Sequence, residues 1–205
     1  MDEVMTGMGR TGKWFAAEHW QVTPDILTIG KGAASGYFPL SIVATRGEWL
    51  DLIARGRGDF SHGGTFSHHA VGAAAGLATL EYLRQHQLVD GVEEKGQFLR
   101  QQLQDRLAEL PYIGDLRGIG LMWGIEFVRH KESKQPFDPD LHLGQRIADE
   151  ALRLGLVVYP GSGTVDGNQG DHVMVGPPFC ITQGETVQLA EMLEKAIRTC
   201  LEAIV

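Results

Sequence analysis

A glycine-rich segment near the start of the 205-residue chain has the spacing of a phosphate-binding loop. It reads GMGRTGK over residues 7–13 and matches G-x-x-x-x-G-K, a pattern whose backbone N–H groups and lysine surround phosphate oxygens. The next residue is Trp14, so the hydroxyl that would bind Mg²⁺ is missing. The same residues satisfy G-x-G-x-x-G, but little chain precedes them to form the strand that a dinucleotide-binding turn requires. Both nucleotide-binding interpretations are therefore disfavoured.

The histidines and cysteines do not form a metal-ligand pattern. The tightest histidine group is His62, His68 and His69, and adjacent imidazoles such as the last two rarely bind one metal ion. Neither cysteine, Cys180 or Cys200, lies near them in the sequence, and no carboxylate pattern completes a site. We predict that these histidines are structural or line a pocket, and that the chain has no metal site.

Several short motifs follow one another in a fixed order between residues 2 and 40. They are Asp2-Glu3-Val4, the glycine loop, Pro24-Asp25-Ile26, Gly30-Lys31-Gly32 and Pro39-Leu40. This order resembles the signature of the class III (ω-) aminotransferases, which depend on pyridoxal phosphate. Later blocks at residues 62–66 (HGGTF), 117–122 (RGIGLM) and 176–179 (GPPF) resemble the same family. The resemblance covers essentially the whole chain and corresponds to the C-terminal half of the family's chain.

The resemblance implies which residues hold the cofactor. Lys31 corresponds to the lysine that binds pyridoxal phosphate as a Schiff base and then moves a proton between substrate and cofactor. Asp2 corresponds to the acid beside the ring nitrogen, and its separation from Lys31 (31 − 2 = 29 residues) suits a crossover between neighbouring parallel strands. Val4 corresponds to the aliphatic residue on one face of the ring, with an ordinary core valine as the alternative. Thr65 corresponds to a threonine that reaches the phosphate of a partner subunit's cofactor, with a helix-capping role as the alternative.

The chain departs from the family pattern at the substrate site. Met174 stands near the position where many members carry an arginine that clamps a substrate carboxylate. Some amine-accepting relatives carry a mobile arginine slightly earlier, where this chain reads GNQG over residues 167–170. Without a placed guanidinium, bidentate carboxylate recognition is unsupported. An apolar side chain favours an ω-amino acid bound differently, or a plain amine.

The resemblance implies an aminotransferase that moves an amino group from an amine or ω-amino acid to a keto acid such as pyruvate. It also implies a homodimer with shared active sites. The family's other phosphate loop and the aromatic residue stacked on the cofactor belong to its N-terminal half, so we expect this chain alone to bind the cofactor weakly and to be inactive. Alternatives are an aminomutase, racemase or decarboxylase on the same scaffold, or a non-catalytic dimerisation piece.

The elements that must position these residues follow from hydrophobic periodicity. Alternating strands and helices favour an α/β fold. The resemblance implies that residues 1–112 are the C-terminal part of a fold-type I large domain, ending in a long helix, and that residues 113–205 are a small α+β domain. Strands are predicted at residues 26–29 (buried), 41–45, 121–127, 156–159 and 172–175. Helices are predicted at residues 48–54, 70–83, 92–110 and 142–154, and a final helix opens with a Thr182–Glu185 capping box.

The composition excludes further classes of function. The formal net charge is −8, and no basic block interleaved with aromatic residues is present, so nucleic-acid binding is not expected. No apolar run approaches the length of a membrane span. Two cysteines and the lack of a signal peptide favour a reducing cytoplasm.

Overall fold

The computed structural model describes residues 1–204, which fall into two compact units that divide between Gly91 and Val92. The boundary predicted from the sequence follows the long helix, at 112/113. The helix α3 (Val92–Leu107) belongs to the second unit because its buried leucines join the core of that unit.

The first unit contains a two-stranded sheet, two α-helices and two short 3₁₀ helices. The strands are β1 (Ile26–Ile29) and β2 (Ile42–Thr45), which pair antiparallel, and the helices are α1 (Gly47–Arg55) and α2 (Ala70–Gln85). The 3₁₀ helices are Ala16–Trp20 and Lys31–Ala34. The second of these directly follows β1, so the glycine that separates them ends the strand and begins a turn.

The prediction of a buried strand at β1 is correct in type but wrong in burial. Ile26 is 44% exposed and only Ile29 is buried. All four residues of β2 are exposed, and α1 buries none of its residues. The apolar composition that suggested burial is present, but within this unit no element covers that side of the strands.

The second unit packs helices against a four-stranded antiparallel sheet. Its strands are β3 (Ile113–Ile119), β4 (Met122–Phe127), β5 (Tyr159–Gly161) and β6 (Asp171–Val175), in the order β3-β4-β6-β5. Besides α3, the helices are α4 (Leu143–Arg153) and α5 (Gln183–Glu202), with a short 3₁₀ helix at Pro139–Leu141. The predicted helices at residues 92–110 and 142–154 are thereby confirmed, each within a few residues.

The core of this unit lies between the helices and one face of the sheet. Trp123, Ile125 and Phe127 alternate with more exposed neighbours along β4, as expected for a strand with one buried face. Helices α3 and α5 contribute fully buried leucines such as Leu99 and Leu193. This single apolar cluster supplies most of the stabilising burial in the unit.

The predicted capping box at the start of α5 is confirmed. The Thr182 hydroxyl accepts a hydrogen bond from the Glu185 N–H at 3.2 Å, and the Glu185 carboxylate accepts one from the Thr182 N–H at 2.8 Å. Two N–H groups that the helix itself cannot satisfy are thereby paired. The backbone N–H of Thr182 also lowers the pKa of the Glu185 carboxyl.

Two strands of the sheet were misplaced or missed by the sequence analysis. The strand predicted at 156–159 lies at Tyr159–Gly161, because ladder pairing begins only where Tyr159 meets Met174. Leu156 and Val158 are buried and Val157 is 81% exposed, so the alternating pattern marks burial of an unpaired segment. Strand β3 was not predicted, since its glycines and charged residues interrupt the hydrophobic alternation.

Helix α3 approaches the turn between β3 and β4 closely. A Cβ at Gly96 would lie 2.4 Å from the backbone oxygen of Gly120. The same oxygen accepts a hydrogen bond from the indole Nε1 of Trp123 at 2.9 Å. A helix, a turn and a buried aromatic ring therefore meet at one carbonyl group.

Candidate active site

The residues around Asp2 form an additional parallel edge beside β1. The Glu3 N–H donates to the Thr28 carbonyl at 2.9 Å, and the Thr28 N–H donates to the Met1 carbonyl at 3.0 Å. Asp2 and Thr28 form a parallel bridge. Lys31 lies three residues after Thr28 in the chain. Asp2 and Lys31 therefore lie near the ends of two adjacent extended segments. This is the arrangement that the 29-residue separation predicted.

Lys31 occupies an unusual backbone conformation. Its φ is 42°, in the left-handed region that non-glycine residues rarely adopt, and it is the first residue of a 3₁₀ helix. The side chain is exposed, and its amine makes no hydrogen bond or ion pair with any described residue. Backbone strain of this kind concentrates at functional sites, where the surrounding structure must enforce it.

The flanks of Lys31 are packed against the residues that follow Asp2. A Cβ at Gly30 would lie 3.4 Å from Cγ1 of Val4, and a Cβ at Gly32 would lie 3.3 Å from Cβ of Met8. Val4 is therefore a direct neighbour of the backbone that carries the lysine. The structure thus brings Asp2, Val4 and Lys31 into one part of the first unit.

The two carboxylate oxygens of Asp2 differ in their hydrogen bonding. Its Oδ1 accepts a hydrogen bond from the Val4 N–H at 2.9 Å. Among the described residues, no donor reaches Oδ2, and the side chain is exposed. A fixed carboxylate with a free oxygen can accept a charge-assisted hydrogen bond from a protonated ring nitrogen.

The glycine loop folds as a compact turn and does not open an α-helix. The Gly12 N–H donates to the Gly9 carbonyl at 3.0 Å, and both glycines have positive φ. The next element is the five-residue 3₁₀ helix Ala16–Trp20. The context that either nucleotide-binding pattern requires is absent from the described residues. Thr11 is buried beside the His19 ring, and burial lowers the pKa of the Arg10 guanidinium.

Thr65 lies in an exposed segment between α1 and α2. The neighbouring turn is closed by a hydrogen bond from the Ser67 N–H to the Gly64 carbonyl at 2.9 Å. No contact places Thr65 beside Asp2 or Lys31 in the described residues. Its role toward a partner subunit stays a prediction.

Met174 lies in the second unit, on the half-exposed face of β6. It pairs with Gly124 on one side and Tyr159 on the other. On the next strand, Arg117 pairs with Gly124. The guanidinium is not free, because it contacts Asp115 at 2.6 Å and Glu126 at 2.5 Å.

The GNQG stretch forms part of a tight turn. Oδ1 of Asp166 accepts hydrogen bonds from the Asn168 N–H at 2.9 Å and from the Gln169 N–H at 2.7 Å. These donors lower the pKa of the Asp166 carboxyl, with the larger effect from Gln169. Gly167 and Gly170 have positive φ. The segment where some relatives carry a mobile arginine is here a hydrogen-bonded turn without a cationic side chain.

Sequence reasoning assigned no separate role to Glu3. The structure buries it at 1% exposure, between the exposed Asp2 and the half-buried Val4. The only signal in the sequence was a second carboxylate beside the candidate acid.

Two other kinds of feature are absent from residues 1–204. No described helix has the length and apolar character needed to cross a bilayer. No group of three or more His, Cys, Asp or Glu side chains in that range is placed to hold a metal ion.

The chain is similar over its length to proteins of one family. The family model for aminotransferase class III matches residues 1–197. The uncharacterized aminotransferase YodT of Bacillus subtilis is 39% identical over 196 residues, which are 96% of this chain and 44% of that protein. The putrescine–pyruvate aminotransferase of Pseudomonas aeruginosa is 31% identical over 204 residues, 99% of this chain and 42% of that protein.

Solved structures show the same fold. A PLP-bound aminotransferase mutant from Vibrio fluvialis matches with a TM-score of 0.90 and 33% identity over 100% of this chain and 44% of that one. The fold is that of the corresponding part of pyridoxal-phosphate-dependent transaminases. The chain belongs to the class III aminotransferase family, and it spans less than half the length of the relatives it matches.

The described residues fit pyridoxal phosphate, the cofactor of the family. The unpaired amine of Lys31 and the free oxygen of Asp2 supply the two polar groups that the ring requires, and Val4 supplies an apolar neighbour. The glycines on either side of Lys31 keep bulk away from its side chain. Each of these groups belongs to the first unit.

Proposed function

We propose that this chain is the catalytic C-terminal part of an aminotransferase that moves an amino group from an amine or ω-amino acid to a keto acid such as pyruvate. The observation that supports the proposal is the parallel bridge between Asp2 and Thr28 of β1, because β1 ends two residues before Lys31, whose backbone is strained. Family membership supports the reaction class.

When bound, pyridoxal phosphate withdraws electrons from the substrate carbon. Lys31 would hold the cofactor through its amine, and the same amine could carry a proton at the substrate carbon. Asp2 would stabilise the protonated form of the ring nitrogen through Oδ2. Val4 would supply an apolar neighbour for the ring.

The substrate proposal rests on the second unit. Met174 stands where many family members carry a carboxylate-binding arginine, and the nearby Arg117 is neutralised by Asp115 and Glu126. A carboxylate would find no free guanidinium on this part of the sheet, so we infer a plain amine, or an ω-amino acid whose carboxylate is bound elsewhere. The relative from Pseudomonas aeruginosa is named for a diamine donor and pyruvate, which supports the same direction.

The proposed assembly involves a second subunit and the family's N-terminal half. We infer a homodimer in the cytoplasm, in which Thr65 reaches the phosphate of the partner's cofactor, with no nucleic-acid or membrane partner. We also infer that this chain without the family's N-terminal half binds the cofactor weakly and turns over no substrate.

Attachment of the cofactor tests the assignment. A longer chain that supplies the family's N-terminal half is incubated with pyridoxal phosphate, reduced with borohydride and mapped by peptide mass spectrometry. We expect the pyridoxyl group on Lys31 in preference to other lysines, and loss of that labelling in Lys31→Ala. Lys13→Ala, which removes another exposed lysine of the same unit, is the matched control and should keep it. Labelling spread evenly over surface lysines would contradict the assignment.

A second experiment tests the reaction. A longer chain that supplies the family's N-terminal half is assayed with a panel of amines and pyruvate, with alanine as the measured product. Alanine formation supports aminotransfer. Consumption of the amine without alanine would instead favour an aminomutase, racemase or decarboxylase.

A further inference from the structure

Glu3 is a buried carboxylate that the proposed reaction does not use. It is 1% exposed, whereas its neighbour Asp2 is exposed, as the alternation of an extended segment requires. Burying a carboxylate is costly unless hydrogen bonds replace the lost water. Its position is therefore maintained by specific partners.

Those partners come from two different segments. Oε1 of Glu3 accepts a hydrogen bond from the Ala17 N–H at 2.8 Å, and Oε2 accepts one from the Thr6 hydroxyl. Ala17 lies in the 3₁₀ helix after the glycine loop and is itself buried. The side chain thus joins both ends of the loop.

The backbone of Glu3 is held as firmly as its side chain. Its N–H donates to the Thr28 carbonyl at 2.9 Å, and its carbonyl accepts from the Gly7 N–H at 3.0 Å. A Cβ at Gly7 would lie 2.6 Å from that carbonyl oxygen, so only glycine allows this turn. Glu3 therefore connects β1, the turn at residues 3–7 and the 3₁₀ helix.

This connection fixes the orientation of Asp2. The Val4 N–H, which holds Oδ1 of Asp2, follows directly after Glu3 in the chain, so its direction depends on how Glu3 is anchored. Val4 also packs against Gly30, beside Lys31. A displacement of Glu3 would move the candidate acid and the apolar ring contact together.

We propose that Glu3 is a positioning residue whose side chain, through Ala17 and Thr6, holds Asp2 and Val4 in place relative to Lys31. The inference rests on the proposed function, because positioning matters for catalysis only if Asp2 meets the cofactor ring. The structural part of the proposal is measurable in the chain without cofactor.

The test compares Glu3→Ala with Glu3→Gln by NMR on the 205-residue chain. The readouts are hydrogen exchange of the Thr28 amide, which bonds to Met1, and the pH-dependent shift of the Val4 amide, which reports its bond to Asp2. In Glu3→Ala we expect exchange at Thr28 to rise roughly tenfold, the effect of losing about one hydrogen bond, and the pH-dependent shift at Val4 to diminish.

Glu3→Gln should restore both readouts, because its amide oxygen can accept from Ala17 and its amide nitrogen can donate to the Thr6 hydroxyl. The matched control is Glu18→Ala, which removes an exposed carboxylate that accepts from the Phe15 N–H at 2.8 Å in the same segment. It should leave Thr28 and Val4 unchanged. Unchanged exchange and an unchanged Val4 shift in Glu3→Ala would overturn the proposal.

Amides of α2 report whether the first unit is folded in each variant. If Glu3→Ala unfolds it, Thr6→Val, which removes one donor, takes its place; it should still raise exchange at Thr28 several-fold, as the loss of part of a hydrogen-bond network does. No rise in that variant would also contradict the proposal.

Borohydride labelling of the longer chain that supplies the family's N-terminal half separates the two claims. If wild type is labelled at Lys31 and Glu3→Ala is not, both the function and the positioning role are supported. If the NMR changes occur but wild type is never labelled at Lys31, the proposed function fails while the structural role of Glu3 stands.

Discussion

The backbone conformation of Lys31 is unfavourable in free energy for a residue with a side chain. A left-handed conformation costs a residue with a Cβ about 1–2 kcal/mol relative to glycine, and φ at Lys31 is 42°. Gly30 on one side and Val4 and Met8 beside it leave the chain little freedom to relax. The backbone that carries the amine is therefore set in place before any ligand binds.

We therefore expect Lys31→Gly to be more stable than Lys31→Ala by about 1 kcal/mol, since only glycine relieves the left-handed strain. Both variants lose the amine and should lose cofactor labelling equally. Urea unfolding followed by circular dichroism measures the difference. Equal stability of the two variants would show that the strain is absent in solution.

A second residue-scale prediction concerns the Arg117–Glu126 pair. The hydrogen bond from Arg117 lowers the pKa of Glu126 below its ordinary value of 4.5. A carboxyl whose folded pKa is lowered stabilises the protein above its unfolded pKa, and this stabilisation is lost as pH falls through the folded value.

Arg117→Met should raise the pKa of Glu126 and reduce the free energy of unfolding near neutral pH. Because Arg117 is 59% exposed, the loss should be less than about 1 kcal/mol. The difference from wild type should shrink as pH falls below 4.5. NMR titration and urea unfolding at two pH values measure both effects, with Arg100→Met on an exposed face of α3 as the control. A constant difference across pH would contradict the assignment.

At the scale of elements, helices were predicted well because a repeating apolar face is a local property of the sequence. The positions of α3, α4 and α5 follow from spacing such as Leu99, Leu103 and Leu107. Strand β3 escaped prediction because its identity depends on pairing with β4, which no local pattern records. Burial of β1 was overestimated for a related reason, since burial depends on what covers a strand.

The residues of the candidate site were predicted from the sequence about as well as the helices and strands. Motif order indicated Asp2, Val4 and Lys31, and the structure brings their segments together through the bridge at Thr28. Glu3 escaped because its role depends on a contact with Ala17, fourteen residues away, that no spacing rule encodes. Some predicted roles, such as that of Thr65, depend on a second subunit or on the N-terminal half. The structure of this one chain does not contain those contacts.

The close approach of α3 to the β3–β4 turn yields a test of packing. Gly96→Ala would improve helix propensity, yet its Cβ would fall 2.4 Å from the Gly120 oxygen. We expect a net loss of about 1–3 kcal/mol, because overpacking against a backbone outweighs the propensity gain. Gly184→Ala in α5, where no atom lies within 4 Å, is the matched control. It should be neutral or stabilising by up to about 1 kcal/mol. Chemical denaturation of both variants gives the comparison.

At the scale of the whole molecule, the two units differ in how much apolar surface they expose. Most of the exposed large hydrophobic side chains belong to the first unit, among them Val43 at 69% and Leu52 at 65%. The second unit has a continuous core and few such residues. Extended apolar patches of this kind favour association and dye binding.

We predict that the chain binds a hydrophobic fluorescent dye mainly through the first unit. Val43→Lys combined with Leu52→Lys should lower dye fluorescence at least twofold, because the change replaces two strongly exposed apolar side chains of that unit by charged ones. Leu152→Lys, at a 62% exposed leucine of α4, is the control and should have little effect. Equal reduction by both changes would place the dye elsewhere.

The fluorescence of the Trp123 indole can report on the second unit of the protein. It is the only tryptophan after residue 91, it is 5% exposed, and its N–H is bound to Gly120. Replacement of Trp14, Trp20 and Trp49 by phenylalanine would leave a single emitter in a dry environment. On denaturation, a red shift of its emission would then report unfolding of the four-stranded sheet and helix α3. The first unit, which carries Lys31, would contribute no tryptophan emission.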